Sequence, residues 1–136
     1  MIDETKTLEQ LENDIWIGSD FPTGLVEKCY RYRKIPIKDL TIEQLRLLIG
    51  QNFGLPFLIP KAIKYLEKDL FAEGNLYPGD LLNSVLSVKE DFWKTNKEAR
   101  RILEELLRKG LITIETHEEP KYFRQLKRKM LAFLDY

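Results

Sequence analysis

Apolar residues recur at helical spacing along most of this chain. Three segments have the capping-box form, in which Ser or Thr is followed three residues later by Glu or Gln, and they begin at Thr7, Thr41 and Thr95. Apolar residues follow each of them at intervals of three and four. We therefore expect a helix after each segment, with Gly110 closing the third.

Prolines and one aspartate mark the starts of further helices. Because proline is tolerated only in the first helical turn, Pro60 places one start near Phe57. Asp80 follows a Pro-Gly turn and is expected to cap the N-terminus of the next helix. The expected helices begin after Pro22, near Phe57, at Leu81 and at Pro120.

The segment 111–116, Leu-Ile-Thr-Ile-Glu-Thr, is rich in β-branched residues and predicts a short strand or half of a hairpin. The chain has no internal repeat, low-complexity tract or linker. The predicted fold is mainly α: one compact helical domain over residues 1–136, with six or seven helices and one short strand or hairpin near residues 111–116.

The charged residues cancel in sum but not in position. The chain carries 22 Lys and Arg and 22 Asp and Glu, which argues against a strongly basic protein that binds a polyanion. Residues 1–20 hold six acids and one lysine, whereas residues 21–46 hold six bases and three acids. An acidic N-terminal segment is either an ordinary solvated surface or a surface complementary to a basic partner.

Catalytic and metal-binding signatures are lacking in the sequence. Cys29 and His117 are the only residues of their kinds, which leaves no cluster of soft ligands for zinc and no disulfide within the chain. No glycine-rich phosphate-binding motif occurs. We expect a buried Cys29, no cofactor, no metal and no enzymatic activity. With no signal peptide and no membrane-spanning stretch, we also expect a cytoplasmic protein with no membrane partner.

One segment is similar to DNA-binding proteins of the winged-helix class. An amphipathic helix with Arg100, Arg101 and Arg108 runs into the predicted strand. Acidic residues follow at the expected wing tip, Glu115, Glu118 and Glu119, where phosphate would be repelled. A DNA-binding regulator is therefore the alternative, and nucleic acid is not the partner that we expect.

Two longer segments resemble a helical family of immunity proteins of contact-dependent growth inhibition (CDI) systems. The first is Leu-Thr-Ile-Glu-Gln-Leu-Arg-Leu-Leu-Ile-Gly-Gln at residues 40–51, continued by Gly54, Leu55, Leu58 and Pro60. The second is Glu-Gly-Asn-Leu-Tyr-Pro-Gly-Asp-Leu-Leu at residues 73–82. The resemblance covers about residues 25–93.

This resemblance implies a binding protein without catalysis. Members of the family are cytoplasmic antidotes that bind a cognate toxin domain and block it stoichiometrically, and such toxins are frequently nucleases. A nuclease presents a basic cleft, which acidic and aromatic side chains would complement. The candidate toxin-binding residues, whose aromatic members could equally belong to the core, are Asp14, Trp16, Asp20, Phe21, Glu73, Tyr77 and Asp80.

Overall fold

The computed structural model describes residues 2–18, 21–114 and 121–135. Asp20 and His117 lie outside these ranges. The described residues form eight α-helices and one short 3-10 helix, Ile37–Asp39. The α-helices are α1 (Leu8–Glu12), α2 (Gly24–Tyr32), α3 (Ile42–Gly50), α4 (Leu55–Lys68), α5 (Asp80–Leu86), α6 (Glu90–Thr95), α7 (Lys97–Ile114) and α8 (Lys121–Leu134).

The core is built around α3, α4 and α5. Helix α3 packs on both α4 and α5, while α2 covers α3 from outside. On the other side α7 packs on α4, and α8 packs on α5 and α7. The fully buried side chains are mostly leucine and isoleucine at three- and four-residue spacing, which confirms the predicted amphipathic pattern. Cys29 is buried among them, as expected.

Two of the three predicted capping boxes are present. Thr7 and Gln10 exchange side-chain and backbone hydrogen bonds at the start of α1, and Thr41 and Gln44 do the same at α3. The third, at Thr95, is wrong. Thr95 is the last residue of α6 and its hydroxyl donates to the Phe92 carbonyl at 3.1 Å. Asn96 has a non-helical backbone conformation and separates α6 from α7. The described residues therefore form eight α-helices, where six or seven were predicted.

Helix α4 begins earlier than predicted. It starts at Leu55 with Pro56 in its first turn, and Pro60 lies inside the helix. Proline lacks the N–H that would bond to the carbonyl four residues earlier, at a cost of about 3 kcal/mol in a helix interior. Burial of five apolar side chains on the same helix outweighs this cost; they are Leu58, Ile59, Ala62, Ile63 and Leu66.

Helix α7 runs through the position where it was predicted to end. Gly110 lies within it, and residues 111–114 are helical, so the predicted strand is wrong there; residues 115 and 116 lie outside the described ranges. The glycine serves close packing, since a Cβ atom at Gly110 would lie 2.1 Å from Leu70 Cδ2. The winged-helix alternative requires residues 111–114 to form the first strand of the wing. These residues are helical, which argues against that alternative.

Candidate functional site

The acidic N-terminal segment folds around a buried arginine. Arg33, just after α2, is 1 % exposed. Its guanidinium donates to Glu12 Oε1 at 2.9 Å and to the Asp14 carbonyl at 3.0 Å. The Glu9 carboxylate lies 3.9 Å from the same group. A buried cation needs such partners, because an unpaired charge away from water is strongly destabilising.

Glu9, Glu12, Asp14 and Arg33 form a cluster, and Glu9 links it to the loop after α1, residues 13–18. Its carboxylate accepts from Lys34 Nζ at 3.0 Å and from the Trp16 backbone N–H at 3.0 Å. Burial alone would raise the pKa of Glu9, but the bonds from Lys34 and Trp16 favour the ionised form and the pKa falls below its ordinary value. Glu9 therefore holds the loop in place as a carboxylate at neutral pH.

Much of the acidic charge expected to face a partner is used within the molecule. Glu9 and Glu12 pair with Arg33 and Lys34, and Glu4 pairs with Lys61 and Lys64 of α4. The Asp14 carboxylate also lies near Arg33, at 4.0 Å, and accepts from Trp16 Nε1 at 3.3 Å, but its side chain differs in staying 66 % exposed. Of the acids in this cluster, Asp14 is the one best placed to meet a partner.

The loop after α1 presents two isoleucines to solvent. Trp16 turns inward, with its ring edge-to-face against Phe53 at 5.1 Å and the Arg33 guanidinium 4.0 Å from its centroid. Ile15 and Ile17 are 69 % and 92 % exposed. The two isoleucines flank the inward-turned Trp16 along the chain. We call Ile15 and Ile17 the isoleucine ridge.

The predicted site residues Asp14, Trp16 and Phe21 lie in one continuous region. Phe21 packs against Tyr30 with ring centroids 4.7 Å apart. Lys34 Nζ lies 4.6 Å from the Tyr30 centroid and also contacts Glu9. Phe21 and Trp16 are both half-buried. Each keeps part of its side chain exposed, so their role in toxin binding stays a prediction.

The other predicted residues lie in and next to a different loop, residues 73–79: Glu73 and Tyr77 belong to it, and Asp80 is the first residue of α5. Two carboxylates connect this loop to the rest of the protein. Asp80 accepts from the Gly74 N–H at 2.7 Å and from the Leu76 N–H at 3.0 Å. Glu43 on α3 accepts from the Asn75 N–H at 2.9 Å. Bonding to Arg46 at 2.7 Å, helped by the Asn75 bond, lowers the pKa of Glu43 against the effect of burial.

Two predictions for Asp80 are therefore wrong. It is 1 % exposed, so it cannot present a charge to a partner, and Gly79, not Asp80, occupies the N-cap position of α5. Gly79 has φ +95°, a conformation natural to glycine, and the Asp80 carboxylate bonds back to the loop. Glu73 remains exposed and Tyr77 is half-buried, with burial and the nearby Asp80 raising the pKa of Tyr77.

The two regions lie at opposite ends of α3. Glu43, near its start, contacts loop 73–79, whereas Phe53, just beyond its end, contacts Trp16. Residues 43–50 alone span about 10 Å of helix axis. The structure therefore separates the predicted site into a region around the isoleucine ridge and a region around loop 73–79.

Several residues that shape these regions were not predicted. Arg33 follows Cys29 by four positions on the buried side of α2, a spacing that could have indicated its burial. Exposed apolar residues are harder to predict from the sequence, because isoleucine and leucine are usually core residues. Those that the structure exposes here include Ile15, Ile17 and Leu76. Leu76, at the tip of loop 73–79, is 62 % exposed.

None of the helices in the described ranges combines the length and apolar character needed to cross a membrane. Over the same ranges, no three His, Cys, Asp or Glu residues are grouped as metal ligands. Comparison with curated proteins finds no match. The model of one protein family, described as CDI immunity proteins, matches residues 10–103. Because this match spans more than half of the chain and includes α2 to α6, the protein belongs to the family of CDI immunity proteins.

Proposed function

We propose that this protein neutralises a cognate CDI toxin domain by binding it stoichiometrically, without catalysing a reaction. The isoleucine ridge is the observation that carries the proposal. Ile17, at 92 % exposed, is the most exposed large apolar residue that the structure describes, and Ile15 lies two residues away. Adjacent exposed apolar side chains with a charged border are typical of protein interaction sites.

The ridge is also well supported from beneath. Glu9 fixes the Trp16 N–H, Arg33 fixes the Asp14 carbonyl, and Phe53 contacts the Trp16 ring. A surface that is already ordered loses less conformational entropy on binding, which favours affinity. We therefore place the centre of the toxin interface at Ile15 and Ile17, with Asp14, Trp16 and Phe21 around them. Asp20 is assigned to the interface from its position in the sequence alone.

The proposed toxin is a nuclease, because a nuclease cleft is basic and Asp14, the acid of the Arg33 cluster whose side chain stays 66 % exposed, would help to steer the two proteins together. We place Glu73 and Tyr77 in a second contact with the toxin, which would reach them by extending along α3 from the isoleucine ridge.

Co-expression with the toxin encoded beside this protein tests the proposal directly. We expect restored growth, a co-purifying 1:1 complex and loss of nucleic-acid degradation by the purified toxin. A toxin that stays active and unbound in the presence of this protein contradicts neutralisation by binding. A complex whose toxin never degraded nucleic acid contradicts only the nuclease assignment.

Serine variants test the placement of the interface. Ile15→Ser with Ile17→Ser should weaken toxin binding by about 10-fold to 100-fold, as expected for interface anchors, with the melting temperature unchanged. Ile112→Ser is the matched control, because Ile112 on α7 is 70 % exposed. Equal affinity for the double variant and the control would remove the ridge from the interface.

Charge reversal tests the steering role of the acidic segment. Asp14→Lys with Asp20→Lys should slow association and flatten its dependence on salt. Glu67→Lys with Asp91→Lys, which reverses two exposed acids on α4 and α6, is the control with the same net charge. Association kinetics that match those of the control would show that this segment does not guide the toxin.

A further inference from the structure

A second surface lies where the C-terminal half of α7 packs against α8. The two helices meet at Gly110, whose Cβ position would lie 3.6 Å from Met130 Cε. Near this contact the outer faces of both helices carry cations beside an aliphatic residue. These exposed residues, which we call the α7–α8 surface, are Arg108, Lys109 and Ile112 on α7 and Arg124, Arg128 and Leu131 on α8.

The four cations of this surface have no acidic partner. None of them forms an ion pair or a side-chain hydrogen bond with the residues that the structure describes. By contrast, Arg101, earlier on α7, is held between Glu98 and Glu105. Residues 106–114 and 121–134 contain no Asp or Glu, and Asp135 follows at the end of α8. The described part of this surface is therefore positive, although the whole chain has no net charge.

Two aliphatic side chains lie among these cations. Ile112, 70 % exposed, follows Arg108 by four residues, and Leu131, 46 % exposed, follows Arg128 by three. Because residues three or four apart share one face of a helix, each aliphatic residue lies beside an unpaired arginine. Exposed apolar groups bordered by arginine are typical of surfaces that bind another protein, since arginine is enriched at such interfaces.

Nucleic acid does not fit this combination of residues. Phosphate groups offer no apolar contact to Ile112 or Leu131, and proteins that bind single strands stack the bases on aromatic side chains. Among the residues that the structure describes, every aromatic side chain is buried or half-buried. The exposed aliphatic residues therefore favour a protein as the partner.

A lipid bilayer fits no better. A helix that lies on a membrane inserts a continuous apolar face into the headgroup region. The apolar face of α8 is already buried in the core, through Leu126, Met130 and Phe133. The apolar residues that α8 leaves exposed are Leu131 and the small Ala132, which do not form such a face.

We infer that the α7–α8 surface binds an acidic surface of a partner protein. Asp or Glu side chains of the partner pair with Arg108, Arg124 and Arg128, and an apolar group covers Ile112 and Leu131. This surface shares no residue with the isoleucine ridge, and all of its residues lie beyond residue 103, where the match to the family ends. The inference therefore does not rest on toxin binding.

Acidic and neutral helical peptides test the inference. The probe is three repeats of the heptad Leu-Glu-Glu-Leu-Ala-Glu-Glu, and in its control glutamine replaces every glutamate. We expect the acidic peptide alone to shift the methyl NMR signals of Ile112 and Leu131 in a saturable way, with weaker binding at higher salt. The signals of Ile15 and Ile17 should stay in place, because the exposed Asp14 beside them repels an acidic peptide.

Paired variants separate binding at this surface from unspecific attraction between charges. Arg124→Gln with Arg128→Gln should weaken binding of the acidic peptide by about tenfold, the scale expected for interface residues. Ile112→Ser with Leu131→Ser should weaken it to a similar extent, because the apolar contact is lost while every charge remains. Circular dichroism and melting temperature check that the variants fold.

Arg31→Gln with Lys94→Gln is the control, because it removes the same charge from exposed positions on α2 and α6 and should leave binding unchanged. Ile112 and Leu131 signals that do not move, or that move equally with the neutral peptide, overturn the inference. So do signals that respond to an oligouridylate or to phosphatidylglycerol vesicles at lower concentrations than to the acidic peptide. Full affinity in the double serine variant also overturns it, since charge alone would then account for binding.

Discussion

The guanidinium of Arg33 lies over the indole ring of Trp16, with Cζ 4.0 Å from the ring centroid. This contact joins a buried cation on one side to the loop that carries the isoleucine ridge on the other. Arg33 also accounts for the uneven charge of the sequence. Acids of residues 1–20 and bases of residues 21–46 attract each other within the fold, so their separation along the chain does not produce two separate charged surfaces.

Replacing Arg33 should destabilise the protein strongly. Arg33→Met leaves Glu12 and the Asp14 carbonyl without their donor. Because the Glu12 side chain is 31 % exposed and can be solvated, we expect a loss of about 1.5–3 kcal/mol, the scale of hydrogen bonds to a charged group. Urea unfolding measures the change. Arg101→Met is the control, because Arg101 pairs with Glu98 and Glu105 on the exposed face of α7 and such solvent-exposed pairs contribute little to stability. Similar losses for both variants would show that the Arg33 cluster is not a stabilising centre.

Asp80 should prove to be a structural residue of loop 73–79. Asp80→Asn keeps the size of the side chain but offers only one carbonyl oxygen, so one of the Gly74 and Leu76 N–H groups loses its acceptor. We expect a loss of about 1–3 kcal/mol in unfolding free energy, together with faster hydrogen exchange at these two amides. Glu73→Gln, on an exposed neighbour, should change neither. Unchanged exchange in Asp80→Asn would contradict the proposed role of its carboxylate.

The sequence predicted the helices well where local signals and burial agree. Thr7 and Thr41 begin helices as their capping boxes indicate, and the apolar stripe of α4 is buried. Prediction from the sequence failed where contacts between separate parts of the chain determine the local structure. Gly110 resembles a helix end but accommodates Leu70 inside α7, and Asp80 resembles an N-cap but bonds back to its own loop.

The segments that resemble the immunity family determine the structure of loop 73–79. Glu43, Arg46, Gly74 and Asp80 all belong to those segments, and the structure shows them holding loop 73–79 together. Their contribution is the shape of this loop. The isoleucine ridge could not be predicted, because exposure of an isoleucine depends on which neighbouring residue, here Trp16, takes the buried position.

Gly110→Ala should destabilise the packing of α7 against Leu70. The added Cβ atom would lie 2.1 Å from Leu70 Cδ2, so the Leu70 side chain must shift, and overpacking typically costs about 1–3 kcal/mol. Because Ala favours a helix over Gly by about 1 kcal/mol, we expect a net loss of about 0–2 kcal/mol. Gly24→Ala is the matched control, because nothing lies within 4 Å of its Cβ position in α2. Combining Gly110→Ala with Leu70→Ala should give a smaller loss than the two single losses added together, as measured by urea unfolding. Strictly additive losses would contradict a direct clash between these positions.

Acid should destabilise the protein through Glu4, Glu9 and Glu43. The pKa of each is lowered from its ordinary value of 4.5. For Glu4 and Glu43 the leading cause is the hydrogen bond from Lys64 and from Arg46, respectively, and for Glu9 the bonds from Lys34 and Trp16 overcome the effect of burial. A carboxylate with a lowered folded-state pKa contributes its full stability above its unfolded pKa and loses it as the pH falls through the folded one.

We therefore expect the unfolding free energy to be flat near neutral pH with respect to these groups and to fall as the pH drops below 4.5. Urea unfolding across this range measures the profile. Glu43→Gln should be less stable than the parent protein at neutral pH and should show a shallower decline in acid, because it has no carboxylate to protonate. Glu105→Gln, on the exposed face of α7, is the control and should keep the parent profile. A Glu43→Gln profile parallel to that of the parent protein would mean that Glu43 does not contribute to the acid sensitivity.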